Sequence, residues 1–258
     1  MPYTISLEGK VALVSGGSRG IGAECCRQLA IAGADIIFTH TSSSRGQAAA
    51  SALERELNDM GRSVLNRAVD VSSESGVKAL IAEATSVYRN IDILINSAAI
   101  MEYTPLELMS YDEWRRVMSV NLDGPMLLTR EVLPGMLERG SGSIVMISTN
   151  ATINGGGNSA HYPASKAGLE GLVASLARDY APRGIRANIV RPAVIDTDLL
   201  RERYPTNEDL TNYGNSIPVR RVGKPIDIAN AVVFLASDKA SYICGEAINV
   251  DGGRTYYR

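Results

Sequence analysis

The chain has 258 residues, 45% apolar and 21% charged, with a net charge of −2, three cysteines and two histidines. That composition fits a globular protein and gives no general attraction to nucleic acid or to an acidic membrane surface. No apolar run approaches the roughly 18 residues of a bilayer span, and His40 and His161 alone argue against a zinc site, so no metal is expected.

Met1 to Lys10 lacks the apolar stretch of a signal peptide, and Cys25 and Cys26 are adjacent, without a redox or ligand spacing. Free thiols in a reducing compartment, hence a cytoplasmic protein, are the expectation. In chain order, strands are expected at Val11–Ser15, Asp35–Thr39, Ser63–Val69, Ile91–Ile95, Ser143–Ser148, Arg186–Val190 and Ala247–Val250. Helical patterns fall between them at Gly20–Ala32, Arg45–Met60, Glu74–Tyr88, Asp112–Leu137, Ala160–Tyr180 and Pro225–Ala236. Such alternation predicts an α/β fold: one doubly wound parallel sheet of about seven strands, flanked by helices on both faces, in a single domain over 1–258. Pro125 and Pro134 predict a kink or early end in the fourth long helix. Residues 196–224 read as a long irregular segment, and a loop of that length in a compact domain is usually functional. It is expected to form the substrate loop or lid.

The glycine-rich run Ser15-Gly16-Gly17-Ser18-Arg19-Gly20-Ile21-Gly22 follows the first strand and opens the first helix. Glycine lets the backbone turn sharply and approach a pyrophosphate, and a helix N-terminus offers free N–H groups and a positive dipole end. A dinucleotide site at Gly16, Ser18, Arg19, Gly20, Ile21 and Gly22 is predicted. An NAD site usually carries an acid near the end of the second strand to hold the ribose 2′-hydroxyl. Here that position reads His40-Thr41-Ser42-Ser43, and the nearest acid, Asp35, lies at the strand's beginning. These hydroxyls, with Arg19, suit a 2′-phosphate, so NADP(H) is favoured over NAD(H).

Tyr162 stands four residues before Lys166, so on a helix the two share a face. A free tyrosine keeps its proton to about pH 10. A nearby ammonium is expected to draw that value down and make the phenol a proton donor and acceptor at working pH. Ser148 closes the apolar run Ile144-Val145-Met146-Ile147, at a strand end that should face the ligand crevice.

With its motifs in order, the chain resembles the short-chain dehydrogenase/reductase family in its compact, single-domain, Rossmann-like form. The likeness runs from Lys10 to Gly253 and includes the glycine loop, Asp70-Val71, Asn96-Ser97-Ala98-Ala99, Asn121, Ser148, Tyr162 with Lys166, Pro192 with Thr197, and Asp251-Gly252-Gly253. The resemblance implies that Ser148 hydrogen-bonds the substrate oxygen, that Tyr162 transfers its proton, and that Lys166 supports the phenolate and the nicotinamide ribose. It also implies that Asn121 serves a water-linked proton path, that Asp70 and Val71 border the adenine, and that Asn96 and Ala98 lie beneath the ribose. Pro192, Ile195 and Thr197 would fix the carboxamide. Ala99 and Ala193 stand where the family commonly has glycine, and each added methyl restricts the backbone without removing a reacting group.

The implied activity is NADP(H)-dependent interconversion of a carbonyl and a secondary alcohol. Arg203, Tyr204, Asn207 and Tyr213 in the expected lid, with Asn150, Asn154 and His161, suit a small polar, sugar-like substrate. The overall frame resembles 3-oxoacyl-[acyl-carrier-protein] reductases equally well. A non-catalytic NADP-binding regulator would be expected to lack Tyr162, Lys166 or Ser148, and an epimerase of similar fold would carry a further substrate domain. Apolar Leu169, Leu172, Val173 and Leu176, together with the family's habit, predict a homotetramer with the tail 254–258 near a subunit contact.

Overall fold

Seven short Val- and Ile-rich runs become seven parallel strands in the computed structural model, which describes residues 4–256. The first half of the chain runs β1 (Val11–Ser15), α1 (Gly20–Ile31), β2 (Asp35–His40), α2 (Ser44–Asp59), β3 (Val64–Ala68), α3 (Glu74–Tyr88) and β4 (Ile93–Asn96). The second half runs α4 (Tyr111–Met118), α5 (Gly124–Arg139), β5 (Gly142–Ile147), α6 (Ala151–Asn154), α7 (His161–Tyr180) and β6 (Ile185–Pro192). Then follow α8 (Asp198–Arg201), α9 (Asn207–Gly214), α10 (Pro225–Ala236) and β7 (Ala247–Val250).

The sheet order is β3-β2-β1-β4-β5-β6-β7, all parallel. After β3 the chain crosses to the other side of β1, so the strand order reverses between β1 and β4, where a crevice opens at the strands' carboxyl ends. Alternation along each strand divides the core in two. Ala12, Val14, Val145 and Ile147 pack toward α1 and α10, with Leu29, Ile228 and Val232. Leu13, Leu94, Ile144 and Met146 pack toward α3, α5 and α7, with Leu80, Leu128, Leu169 and Val173. Each such fully buried aliphatic side chain contributes about 1.5–3 kcal/mol. Cys25 and Cys26 are fully buried in the first cluster, as free thiols.

Two expectations need correction. The predicted helix Asp112–Leu137 is two helices joined by a single π turn, Ser119–Asp123. The break falls ahead of Pro125, which sits in the first turn of α5 where its missing N–H costs nothing, and α5 runs on through Pro134 to Arg139. Segment 196–224 is not irregular throughout, because it carries α8 and α9. Thr206 caps α9, its hydroxyl accepting from the Asp209 N–H while Asp209 accepts from the Thr206 N–H, a capping box visible in the Thr-x-x-Asp spacing.

Candidate active site

The glycine loop crosses the top of β1 at the point where the strand order reverses. Gly16 has φ +66°, and a Cβ there would lie 2.8 Å from Ala98 Cα; one on Gly22 would lie 2.2 Å from the Gly16 carbonyl oxygen. No other residue fits either place without moving backbone. Thr39 Oγ1 accepts the Gly16 N–H at 3.0 Å, and Ser15 Oγ accepts from the Ser97 and Ala98 N–H groups at 3.1 and 3.2 Å, tying the loop to β2 and to the end of β4. The N-terminus of α1 has neither a side-chain cap nor an acid in its first turn. Its N–H groups therefore remain open to an anion, and the loop fits a dinucleotide pyrophosphate.

A cleft of about 670 Å³ extends from this loop. Gly16, Ser18, Arg19, Gly20, Ile21, Gly22, His40, Thr41, Ser42, Asp70, Val71, Ala98, Tyr162, Lys166 and Thr197 all line it. Six predicted residues do not line it. Ser43 is the N-cap of α2, accepting from the Gly46 N–H at 3.1 Å. Pro192 and Ile195 are buried beneath, the Pro192 carbonyl accepting from the Asn150 N–H. Asn96 is buried with neither amide atom hydrogen-bonded, and Asn121 and Ser148 are considered below. His40 lines the cleft but is also committed inward, with Nδ1 3.0 Å from the Thr41 carbonyl and Nε2 3.2 Å from Asn66 Oδ1. Asp70 holds an Asx turn, accepting from the Ser72 N–H and hydroxyl at 2.9 and 2.7 Å.

Arg19 and Arg45 converge on one carboxylate, Asp198 of α8, at 3.4 and 2.9 Å. Arg45 was read as part of a helix start, and nothing in the sequence pairs residues 153 positions apart. The two guanidinium groups flank the Thr41–Ser42 side of the cleft.

Tyr162 and Lys166 project from the first turns of α7, with the ammonium 5.9 Å from the phenol ring centroid. Lys166 is buried and donates to the Ile147 carbonyl at 2.9 Å. Burial lowers its pKa to about 8. The expected acidification of Tyr162 is absent: burial, and secondarily the nearby Tyr103 phenol, raise it to about 12. Desolvating a phenolate outweighs an ammonium that is itself partly discharged by burial. Tyr162 is therefore a protonated acid at neutral pH.

Asn121 sits in the π turn, fully buried. Its Oδ1 accepts from the Ile100 N–H at 2.9 Å, while Nδ2 donates to the Ile100 carbonyl at 2.8 Å and to Ser165 Oγ at 3.3 Å. Both side-chain N–H groups are consumed, so the side chain clamps the segment after β4 against α7 and has no donor left for a relay.

Ser148, expected to meet the substrate oxygen, has its hydroxyl on a carboxylate. Ser148 Oγ donates to Glu170 at 3.0 Å, and Glu170 also takes Thr152 Oγ1 at 2.9 Å and Arg191 at 2.7 and 2.5 Å. Burial alone would raise the Glu170 carboxyl, but the bonds from Arg191, Thr152 and Ser148 hold it below its ordinary value. Ser148 thus belongs to a network directed toward β6. Alternation sends Ile147 and Thr149 to one side and Ser148 to the other, and Ile147 lines the cleft beside Tyr162 and Lys166. Carried past the end of β5, the same alternation would turn Thr149, whose Oγ1 accepts the Ala151 N–H at 3.2 Å, toward that side.

An uninterrupted parallel sheet, a glycine cradle at its switch point and a buried Tyr–Lys pair beside that cradle define an NAD(P)-binding oxidoreductase. The family model described as enoyl-(acyl carrier protein) reductase matches residues 16–255. The chain belongs to the short-chain dehydrogenase/reductase family and is an oxidoreductase acting on CH–OH groups. It is 38% identical over 249 residues to the 3-oxoacyl-[acyl-carrier-protein] reductase FabG of Aquifex aeolicus (strain VF5), covering 96% of this chain and 98% of that one. Among solved structures it is similar to gox2181, with TM-score 0.91, 34% identity and 98% of both chains covered. A putative NAD(P)-dependent gluconate 5-dehydrogenase from Beutenbergia cavernae with bound NADP gives TM-score 0.89 at 33% identity, covering 97% of this chain and 98% of that one.

Proposed function

We propose that this enzyme interconverts a carbonyl and a secondary alcohol with NADP(H), using Tyr162 as proton donor and acceptor. The observation that carries the reading is a buried, protonated phenol beside a buried lysine on the wall of the cleft that opens from the glycine loop. When bound, the nicotinamide supplies or accepts the hydride; the protein's part is orientation and proton transfer. Thr149 holds the substrate oxygen, Tyr162 gives it a proton during reduction, and Lys166 stabilises the resulting phenolate from a water-poor site. NADP(H) over NAD(H) is supported by the absence of a carboxylate at the end of β2, by Arg19 and Arg45, and by the structural neighbour with bound NADP.

Of the substrate classes, a 3-oxoacyl thioester now stands first, supported by the FabG relatives. A small polar carbonyl is second, favoured by the aromatic and cationic residues at the cleft's margin. Residues 196–224 act as a lid over a single domain. With NADPH and a 3-oxoacyl thioester, Thr149→Val is expected to lower kcat/KM by about 10²-fold, the scale of losing one donor to the reacting oxygen. Ser148→Ala, which removes one of several bonds to Glu170, should change kcat/KM less than about threefold and cost about 1 kcal/mol of stability. Steady-state kinetics giving the reverse order would restore Ser148 to the reaction.

A cytoplasmic location is supported by free thiols and by the lack, among the described residues, of a helix long and apolar enough to cross a membrane. A homotetramer is proposed from the family; of the α7 residues expected to carry it, Leu169, Val173 and Leu176 are buried in this chain's own core and Leu172 is partly exposed. Residues 257–258 of the expected contact tail lie outside those described. Light scattering on the eluting protein should give four times the chain mass, and a stable monomer would refute the assembly.

A further inference from the structure

Beside Glu202, which lines the cleft, three segments distant in sequence meet through tyrosine and arginine side chains. Tyr103, in the segment after β4, stands close enough to Tyr162 to add to its raised pKa. Arg203, just past α8, stacks on the Tyr103 ring. Its guanidinium lies 4.8 Å from the Tyr103 ring centroid and 5.6 Å from that of Tyr204. Tyr204 packs on Tyr213 at 5.2 Å with the planes tilted 52°. Tyr213 carries the Arg254 guanidinium 4.9 Å from its centroid.

Neither Arg203 nor Arg254 meets a carboxylate among the described residues, although acids are close at hand. Asp196 is taken by Arg201 at 2.6 and 2.7 Å, Asp198 by Arg45 and Arg19, and Glu102 by Arg116. Glu202, next to Arg203 in sequence, lines the cleft without contacting it. A guanidinium presents five N–H donors around its edge. Stacking on aromatic faces fixes the plane of the cation while leaving that edge open. A bracing role for the lid would be served as well by the arginine–carboxylate pairs used elsewhere in the same segment. Two uncompensated cations with free edges, leading away from the proton donor, are arranged for an incoming planar or tetrahedral anion.

We propose that Arg203, backed by Arg254, is the subsite for an anionic group, carboxylate or phosphate, carried by the substrate. This rests on the carbonyl–alcohol reading above and names the chemistry at the far end of the same site. The anion has two possible sources: a carboxylate a few bonds from the reacting carbon, or the phosphate of a pantetheine-type arm.

Two matched pairs separate them: gluconate against sorbitol, and acetoacetyl-pantetheine 4′-phosphate against acetoacetyl-pantetheine. Calorimetric titration of the NADP-loaded enzyme is expected to show the anionic member of one pair binding at least about tenfold more tightly, the scale of a charge-assisted hydrogen bond. The pair that shows it identifies the source. Arg203→Met should erase the difference and Arg203→Lys should keep part of it, with NADPH affinity unchanged in both, which checks that the lid remains intact. Equal affinity within both pairs, or Arg203→Met weakening charged and neutral members alike, would overturn the proposal. That outcome leaves the oxidoreductase reading standing, because the reading fails separately if turnover survives without the Tyr162 hydroxyl.

Discussion

Replacing Tyr162 by phenylalanine is expected to lower kcat/KM by about 10³-fold, within the range for loss of a positioned general acid, while NADPH binding by fluorescence stays within a few-fold of wild type. The ring contributes to the cleft wall and to the contact with Lys166, and phenylalanine keeps it. Only the ionisable hydroxyl is lost, and His161, next to it in sequence, is buried with Nε2 toward Glu113. Substantial residual turnover would mean that solvent or another group protonates the substrate.

The pH dependence follows from the same pair. Tyr162, raised to about 12, stays protonated through neutral pH, so its titration does not limit reduction there. Lys166, lowered to about 8, is charged below that value and neutral above it. Its support for a developing phenolate is therefore fully present on the acid side and is lost as pH rises through about 8. The reductive kcat/KM should be level at neutral pH and fall on the alkaline side, and Lys166→Met should abolish that limb along with most of the rate. A profile rising through the same region would reverse the assignment of roles.

The second large effect concerns the cofactor. Arg19→Ala and Arg45→Ala should each weaken NADPH about 10–100-fold, the scale of a lost charge-assisted hydrogen bond, with little change for NADH. Asp198→Asn should act oppositely, because Asp198 is a resident anion occupying the two cations that a 2′-phosphate would use. All three side chains are substantially exposed, at 39%, 64% and 49%, so the resident pairs are worth at most about 1 kcal/mol. A phosphate of higher charge displaces them readily, and the gain on removing the carboxylate should be no more than about fivefold. Fluorescence titrations with both cofactors read all three variants, and equal losses of NADPH and NADH affinity would remove the arginines from the phosphate site.

How much of the site was legible varied with the range of the interaction. The glycine cradle could be read because its requirements are local: Gly16 and Gly22 are demanded by backbone approaches that a single methyl would block. Tyr162 and Lys166 were legible because four residues on a helix bring side chains together whatever the surroundings. The fourth long helix failed because a π turn leaves no composition signature. Its asparagine was recognised, but its bonds to Ile100 and Ser165 depend on where the segment after β4 crosses. The Glu170 partner of Ser148 was not legible, because it depends on how α7 packs beside the end of β5.

The order of strand and helix, the nucleotide cradle and the proton-transfer pair were thus written in the chain, each set by contacts within a few residues or by a periodicity. Three things were decided only on folding: that burial keeps the tyrosine protonated, that Asp198 of the lid meets Arg19 and Arg45, and that Arg203 and Arg254 are left with phenols for company. Desolvation and charge pairing depend on which distant segments enclose a group. A linear sequence carries the charges but not their distances, and Coulombic and solvation energies are functions of distance and enclosure.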